Sequence, residues 1–151
     1  NSSYFEGCDL SILDWMRQYY PAIFAGIRRR VAEGRYEPNG GVWVECDCNI
    51  PSGESIVRQF LYGQRFTREH FGYTSDCFWL PDTFGYNAAL PQILRQCGVK
   101  YFYTTKIGWN DLNKFPADSF LWKGMDGSSV ITHFNLIHTF PDVKNVGRAI
   151  R

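Results

Sequence analysis

The stretch Trp79-Leu80-Pro81-Asp82-Thr83-Phe84-Gly85-Tyr86 sets a carboxylate directly behind a short apolar run, Cys77-Phe78-Trp79-Leu80. A run of that length reads as a buried strand. α/β enzymes place their chemistry just past the C-terminal ends of such strands. Pro81 fixes the backbone before Asp82, Gly85 permits a tight turn after it, and aromatics on both sides can wall a pocket. Spacing alone leaves a second reading open, in which Asp82 merely caps the turn that follows. Lys106 ends another apolar run, Tyr101 to Thr105, so it should emerge on the same rim as Asp82. Its plainer reading is a solvated strand-end lysine. Trp43 and Glu45 belong to a third such run and can face the same cleft. Trp43 is equally well a core residue, and Glu45, alternating with Val44, equally well points to solvent.

The elements that must position these residues follow from periodicity and punctuation. Leu10 to Tyr19 puts Ile12, Trp15, Met16 and Tyr19 on one apolar helical face. Pro21 suits the first turn of a second helix, with Phe24, Ile27 and Val31 as its stripe and Gly34 as its stop. Arg28-Arg29-Arg30 reads as the solvated face of that helix. Val42-Trp43-Val44 reads as a strand after the Gly40-Gly41 turn. Ser52 can cap a helix running to about Phe71, with Glu54 in its first turn, Ile56, Phe60 and Phe66 inward, and Gly72 ending it. Phe78 to Leu80 is the next strand, Ala88 to Gln96 a helix closed by Gly98, and Tyr101 to Thr105 a further strand. Leu121-Trp122-Lys123 and Val130-Ile131-Thr132 flank an Asp126-Gly127 turn and read as a hairpin. Strand and helix alternate, which implies parallel pairing with crossover helices and an α/β class.

The chain has 151 residues, enough for one domain with a real core. Aromatics make up 17%, a high share that suits a dense core or a sugar-binding cleft, and the net charge of +1 gives no basic patch for nucleic acid. No apolar run is long enough to span a membrane, and no signal peptide is visible. Five cysteines, Cys8, Cys46, Cys48, Cys77 and Cys97, form neither an even framework nor a zinc spacing. That pattern points to a reducing, cytoplasmic setting. Asn1-Ser2-Ser3 matches a glycosylation sequon but carries little weight at a terminus.

Several blocks agree in order with one family. They are Gly40-Gly41-Val42-Trp43-Val44-Glu45, Asn49-Ile50-Pro51-Ser52-Gly53-Glu54-Ser55, Arg58-Gln59, Trp79 to Tyr86, Leu90-Pro91-Gln92-Ile93, Lys106-Ile107-Gly108-Trp109-Asn110 and Asp126-Gly127-Ser128. Together they resemble the N-terminal catalytic domain of glycoside hydrolase family 38, the α-mannosidases, of the bacterial and cytosolic type. The likeness runs from about Phe5 to Asp142. It implies an irregular, barrel-like domain built around a parallel sheet, and a retaining hydrolase acting on an α-mannoside oligosaccharide or glycan. A retaining glycosidase needs two carboxyl groups about 5–5.5 Å apart, one attacking the anomeric carbon and one protonating the leaving oxygen.

On this resemblance Asp82 is the nucleophile and also a ligand of a divalent metal, most often Zn2+, which can hold sugar hydroxyls and help distort the ring. Phe84 matches the family's pocket aromatic, with a core Phe under the turn as the alternative. Lys106 stands where the family carries a cation that holds the nucleophile. Relatives use Arg there, which clamps a carboxylate differently. Trp109 can stack on a sugar face or simply pack. The family's other metal ligands include a His-x-Asp near the start of the domain, and no histidine here has that context. His133 ends a strand, but the family's metal histidine comes later in the domain, so it is not assigned to the metal. His138 and Asp142 sit in a segment that the sequence does not place, and it assigns them no role. The chain reads as an internal piece of a single domain, incomplete at both ends. The other metal ligands and the acid/base carboxyl group then lie outside it. As it stands it should bind metal weakly, hydrolyse little or nothing, and cover its bare sheet edges by contacts between copies, as a homo-oligomer, or with proteolysed remnants.

Two other readings compete. A non-catalytic carbohydrate-binding α/β module fits the aromatics and the strand-end carboxylate. A polysaccharide deacetylase-like metal hydrolase would need an Asp-Asp pair and a His-x-x-x-His set, and neither occurs.

Overall fold

The computed structural model describes residues 5–7 and 9–135. The Asn1-Ser2-Ser3 sequon, Cys8, His138 and Asp142 lie outside the described residues. The chain opens with strand β1 (Phe5–Gly7) and helices α1 (Leu10–Tyr19) and α2 (Pro21–Ala32), followed by β2 (Tyr36–Pro38). The long helix α3 (Gly53–Phe71) leads into β3 (Cys77–Leu80), α4 (Leu90–Gln96) and β4 (Tyr101–Thr104). A 3-10 turn (Lys106–Gly108) and a hairpin of β5 (Ser119–Lys123) and β6 (Ser129–Phe134) complete it.

β1 and β2 pair in parallel as a separate ribbon. The main sheet has the order β3-β4-β6-β5, with the first two pairings parallel and the hairpin antiparallel. Its strands alternate as a pleated sheet must. Phe78, Leu80, Phe102, Val130 and Phe134 are buried on one face, while Trp79 stacks on its register partner Tyr103 on the other.

α3 joins two cores. Ile56 and Phe60 pack with β3, β4 and α4, where Phe60 meets Phe78 edge-on. A turn or two later Phe66 packs with Leu10, Leu13 and Phe24 of α1 and α2. Ser52 caps α3 by accepting from the Ser55 N–H, Glu54 stands in its first turn, and Gly72 ends it in the left-handed conformation at φ 76°. Gly63 faces the segment before the site so closely that an added Cβ would stand 2.4 Å from the Gly41 carbonyl oxygen. Buried Gln64 then closes on the loop to β3, donating to the Ser75 carbonyl and accepting from the Ser75 N–H.

Two expectations fail here. Residues 42–44 form bends rather than a strand, and the nearby strand is Tyr36–Pro38, ahead of the two glycines. The backbone of Trp43 and Val44 bonds to helices instead of a ladder. Trp43 N–H donates to the Gln59 carbonyl, Val44 N–H to Gln59 Oε1, and the Trp43 carbonyl accepts from Ser11 N–H. The second failure is the inner face of α1. Leu10, Ser11 and Leu13 are buried, whereas Ile12, Trp15 and Tyr19 are exposed and only Met16 reaches the core edge. Leu10 and Leu13 give a narrower stripe than the aromatics, yet they are the ones that meet Phe24 and Phe66.

Candidate active site

The register of β3 and β4 brings the site together. Leu80 pairs in parallel with Thr104, so residues two further along each chain, Asp82 and Lys106, come level beyond the sheet. Lys106 Nζ lies 2.5 Å from Asp82 Oδ1, a direct ion pair at the rim where the sequence placed both. Its two halves sit in unlike surroundings. The Lys106 side chain is 4% exposed, that of Asp82 58%. The ammonium is therefore withdrawn into the protein, and the carboxylate is presented to solvent. This excludes the solvated strand-end reading of Lys106.

Two rings enclose the ammonium. Lys106 Nζ stands 3.8 Å from the centroid of Trp109 and 5.2 Å from that of Phe84. The rings meet edge to face at 5.7 Å. Both remain more than half exposed, at 56% for Phe84 and 57% for Trp109, so neither is a core residue. A cation over ring faces is attracted to their quadrupoles. The result is an exposed carboxylate beside an aromatic shelf, with the countercharge beneath.

The turn carrying Asp82 is tied at successive points. The Thr105 hydroxyl donates to the Pro81 carbonyl. Asp82 N–H donates to Glu45 Oε1 at 2.5 Å. Tyr86 O–H donates to the Thr83 carbonyl at 2.6 Å. That uses its one proton, so in the bond between Tyr86 and Thr104 the threonine hydroxyl must donate. Burial pushes the Tyr86 phenol up to about 12, with the Thr104 bond opposing in part. Tyr86 also bridges Cys48, and Asn87 Nδ2 donates to the Cys48 carbonyl. Gly85, at φ 85°, lets the turn pass Asn49, whose Nδ2 would stand 1.8 Å from a Cβ there.

Of the residues singled out in the sequence, Asp82, Lys106, Phe84, Trp109 and Glu45 are thus brought together. Trp43 is placed elsewhere, packed against Tyr62 and Phe66 of α3 in the second core. Glu45 does not simply point to solvent: its Oε1 accepts from the backbone N–H of Asp82. His133 is bonded to Ser119 across the hairpin. Thr104, Thr105 and Tyr86 were not foreseen, although two adjacent threonines closing an apolar strand are a polar signal at its end.

Structural zinc usually takes four N, S or O ligands, and a catalytic site takes three from the protein plus water. Among the described residues no group of three or more His, Cys, Asp or Glu side chains stands together. Asp82 is the single donor assigned to a metal, and one of its oxygens is engaged by Lys106. The described residues therefore do not form a metal site by themselves.

Residues 3–149 match the Glycosyl hydrolases family 38 N-terminal domain. Alpha-mannosidase G of Dictyostelium discoideum is 51% identical over 135 residues, 87% of this chain and 12% of that protein. Alpha-mannosidase 2C1 of Mus musculus is 51% identical over 122 residues, 81% of this chain and 12% of that protein. The chain spans about 12% of the length of these curated relatives. The crystal structure of an alpha-mannosidase from Enterococcus faecalis V583 superposes on 89% of this chain and 15% of that one, with a TM-score of 0.74 at 21% identity, which is a likeness of fold. The parallel-dominated α/β sheet accords with that fold. With one family match covering nearly every residue and half-identical relatives behind it, this chain belongs to glycosyl hydrolase family 38, as part of its N-terminal domain.

Proposed function

We propose that this chain carries the nucleophile of a retaining α-mannosidase acting on α-mannoside glycans, with Asp82 attacking the anomeric carbon. One observation carries the reading: the exposed Asp82 carboxylate is held at the strand ends by a buried ammonium 2.5 Å away, next to two exposed rings. In the first step a carboxylate oxygen of Asp82 forms a bond to the anomeric carbon, the glycosidic C–O bond breaks, and an acid protonates the leaving oxygen. Water then cleaves the mannosyl ester and restores Asp82. Lys106 pulls on Oδ1 and thereby fixes the carboxylate's orientation. Phe84 and Trp109 offer apolar faces to the C–H side of a sugar ring. The proton donor is to come from outside the described residues. A divalent ion, Zn2+ on the family resemblance, would likewise need most of its ligands from there, so no step here is routed through it. The free thiols of Cys46, Cys48, Cys77 and Cys97 favour a reducing, cytoplasmic setting.

The test is trapping. A 2-fluoro mannoside should label Asp82 of the full-length enzyme that carries this domain, and Asp82→Ala should lose turnover while keeping its fold. A label on another residue, together with substantial turnover by Asp82→Ala, would refute the assignment. Glycan binding by the full-length protein without labelling or hydrolysis would favour a non-catalytic carbohydrate-binding module.

A further inference from the structure

We propose that Glu45 is a positioning residue for Asp82: its carboxylate, carried on a backbone that Asp9 tethers at the Glu45 N–H, holds the backbone of the nucleophile where Lys106 can meet the side chain. This rests on Asp82 being the nucleophile, as argued above.

The argument begins with the end of the β-ladder. Register pairing between β3 and β4 stops at Leu80 and Thr104, and Pro81 has no N–H. Asp82 N–H is the first donor beyond the sheet, and it needs an acceptor. Water could serve at an exposed turn. Instead the acceptor is Glu45 Oε1, 37 residues away in sequence and 2.5 Å from the nitrogen. A hydrogen bond to an ionised carboxylate is shorter and roughly twice as strong as a neutral one. It places a fixed anchor one covalent step from the Asp82 side chain.

An anchor is useful only if it is held itself. Three successive amides do that. Trp43 N–H donates to the Gln59 carbonyl, Val44 N–H to Gln59 Oε1, and Glu45 N–H to Asp9 Oδ1 at 2.5 Å. Asp9 occupies the N-cap position of α1 but makes no side-chain cap bond. Its carboxylate goes to Glu45 instead. The nucleophile's backbone is thereby referred to two helices, α1 through Asp9 and α3 through Gln59, while its side chain is referred to β4 through Lys106. Two independent tethers on one residue are what a near-attack geometry needs, because a misplacement of 1 Å can cost about 100-fold in rate.

A structural bond alone would serve stability, and a charge alone would serve ionisation. Substitution separates these roles. Glutamine keeps an acceptor oxygen at the same reach without the charge, aspartate keeps the charge one methylene short, and alanine keeps neither. In the full-length enzyme Glu45→Ala should lower kcat by about 100-fold and leave KM nearly unchanged, the signature of lost transition-state positioning. Trapping by a 2-fluoro mannoside should slow in parallel, with the label still on Asp82. Glu45→Gln should restore most of the rate, and Glu45→Asp should not. If Glu45→Ala does not fold, the Gln and Asp variants decide by the same contrast. Full activity in Glu45→Ala would overturn the proposal. So would a raised KM at unchanged kcat, which makes Glu45 a substrate ligand. A Gln variant as slow as Ala, with a displaced limb in its pH–rate profile, would show that Glu45 acts by ionisation. A label away from Asp82 in the unsubstituted enzyme would instead sink the underlying nucleophile reading, whatever Glu45 does.

Discussion

Gly63→Ala tests whether the segment carrying Glu45 is seated by a close backbone contact with α3. At an ordinary helix-interior position this change stabilises by about 1 kcal/mol, because alanine is the better helix former. Here the new Cβ would stand 2.4 Å from the Gly41 oxygen and 2.7 Å from the Val42 carbonyl carbon. Ordinary contact begins at 3.4 Å, so helix and segment must part by about 1 Å. That opens the bonds from Trp43 N–H and Val44 N–H to Gln59, both 3.0 Å long, each contributing about 1 kcal/mol net. Overpacking costs a further 1–3 kcal/mol or so. Set against the propensity gain, the net loss is about 2–4 kcal/mol. Urea titration of the two proteins, compared at equal m-value, measures it directly. Because the same shift draws Glu45 from Asp82, turnover at a temperature where both proteins stay folded should fall too. A variant that is more stable than its parent by about 1 kcal/mol would show that the contact yields freely and that Gln59 does not seat the segment.

Lys106→Met should lower kcat/KM by about 10- to 100-fold in the full-length enzyme. It removes an ammonium that is buried, paired and enclosed by two rings, while methionine roughly fills its space. Its cost in stability should lie between the value for an exposed pair, below about 1 kcal/mol, and the 3–5 kcal/mol or so for breaking a buried one, because the Asp82 left behind can hydrate. An unchanged kcat/KM would separate Lys106 from the chemistry. Tyr86→Phe should flatten the alkaline fall in stability. The phenol titrates near 10.0 when unfolded and at about 12 when folded, so between those values the folded state holds the extra proton and stability drops as pH rises. Burial pushes Tyr73 up as well, so the slope should shrink and not vanish. Denaturant midpoints measured across that window read it, and an unaltered slope would mean that Tyr86 is not sealed in.

The elements that were legible in the sequence share a trait: their signals are local. α3 announces its start by a serine whose hydroxyl accepts from the third residue on, and its end by a glycine at positive φ. The β5–β6 hairpin is declared by Asp126-Gly127, where Asp126 also bonds the Ser128 N–H. What stayed illegible depends on distant partners. Residues 42–44 carry β-branched and aromatic types, yet the N–H groups of Trp43 and Val44 are taken by Gln59 of α3. A ladder then becomes unnecessary, and no window of neighbouring residues records that. α1 shows the same limit. Its most conspicuous aromatic face is the exposed one, because Phe24 and Phe66 decide which side is covered, and they lie on other helices.

The site divides along the same line. Asp82 and Lys106 were legible as a pair because each closes a short strand, and parallel strands of equal length bring their ends level. That inference uses only the alternation of strand and helix, and the Leu80–Thr104 register carries it through. Glu45 was legible as a candidate but not in its part, because its partner is the Asp82 backbone amide, and a main-chain donor leaves no trace in residue identity. Asp9 is harder still. As an aspartate ahead of a helix it has the look of an N-cap, while its carboxylate is spent on Glu45 N–H. Residues that touch the reacting groups can be read from type and spacing. Residues that hold a backbone in place share only a hydrogen bond with what they hold, and the folded chain is needed to see it.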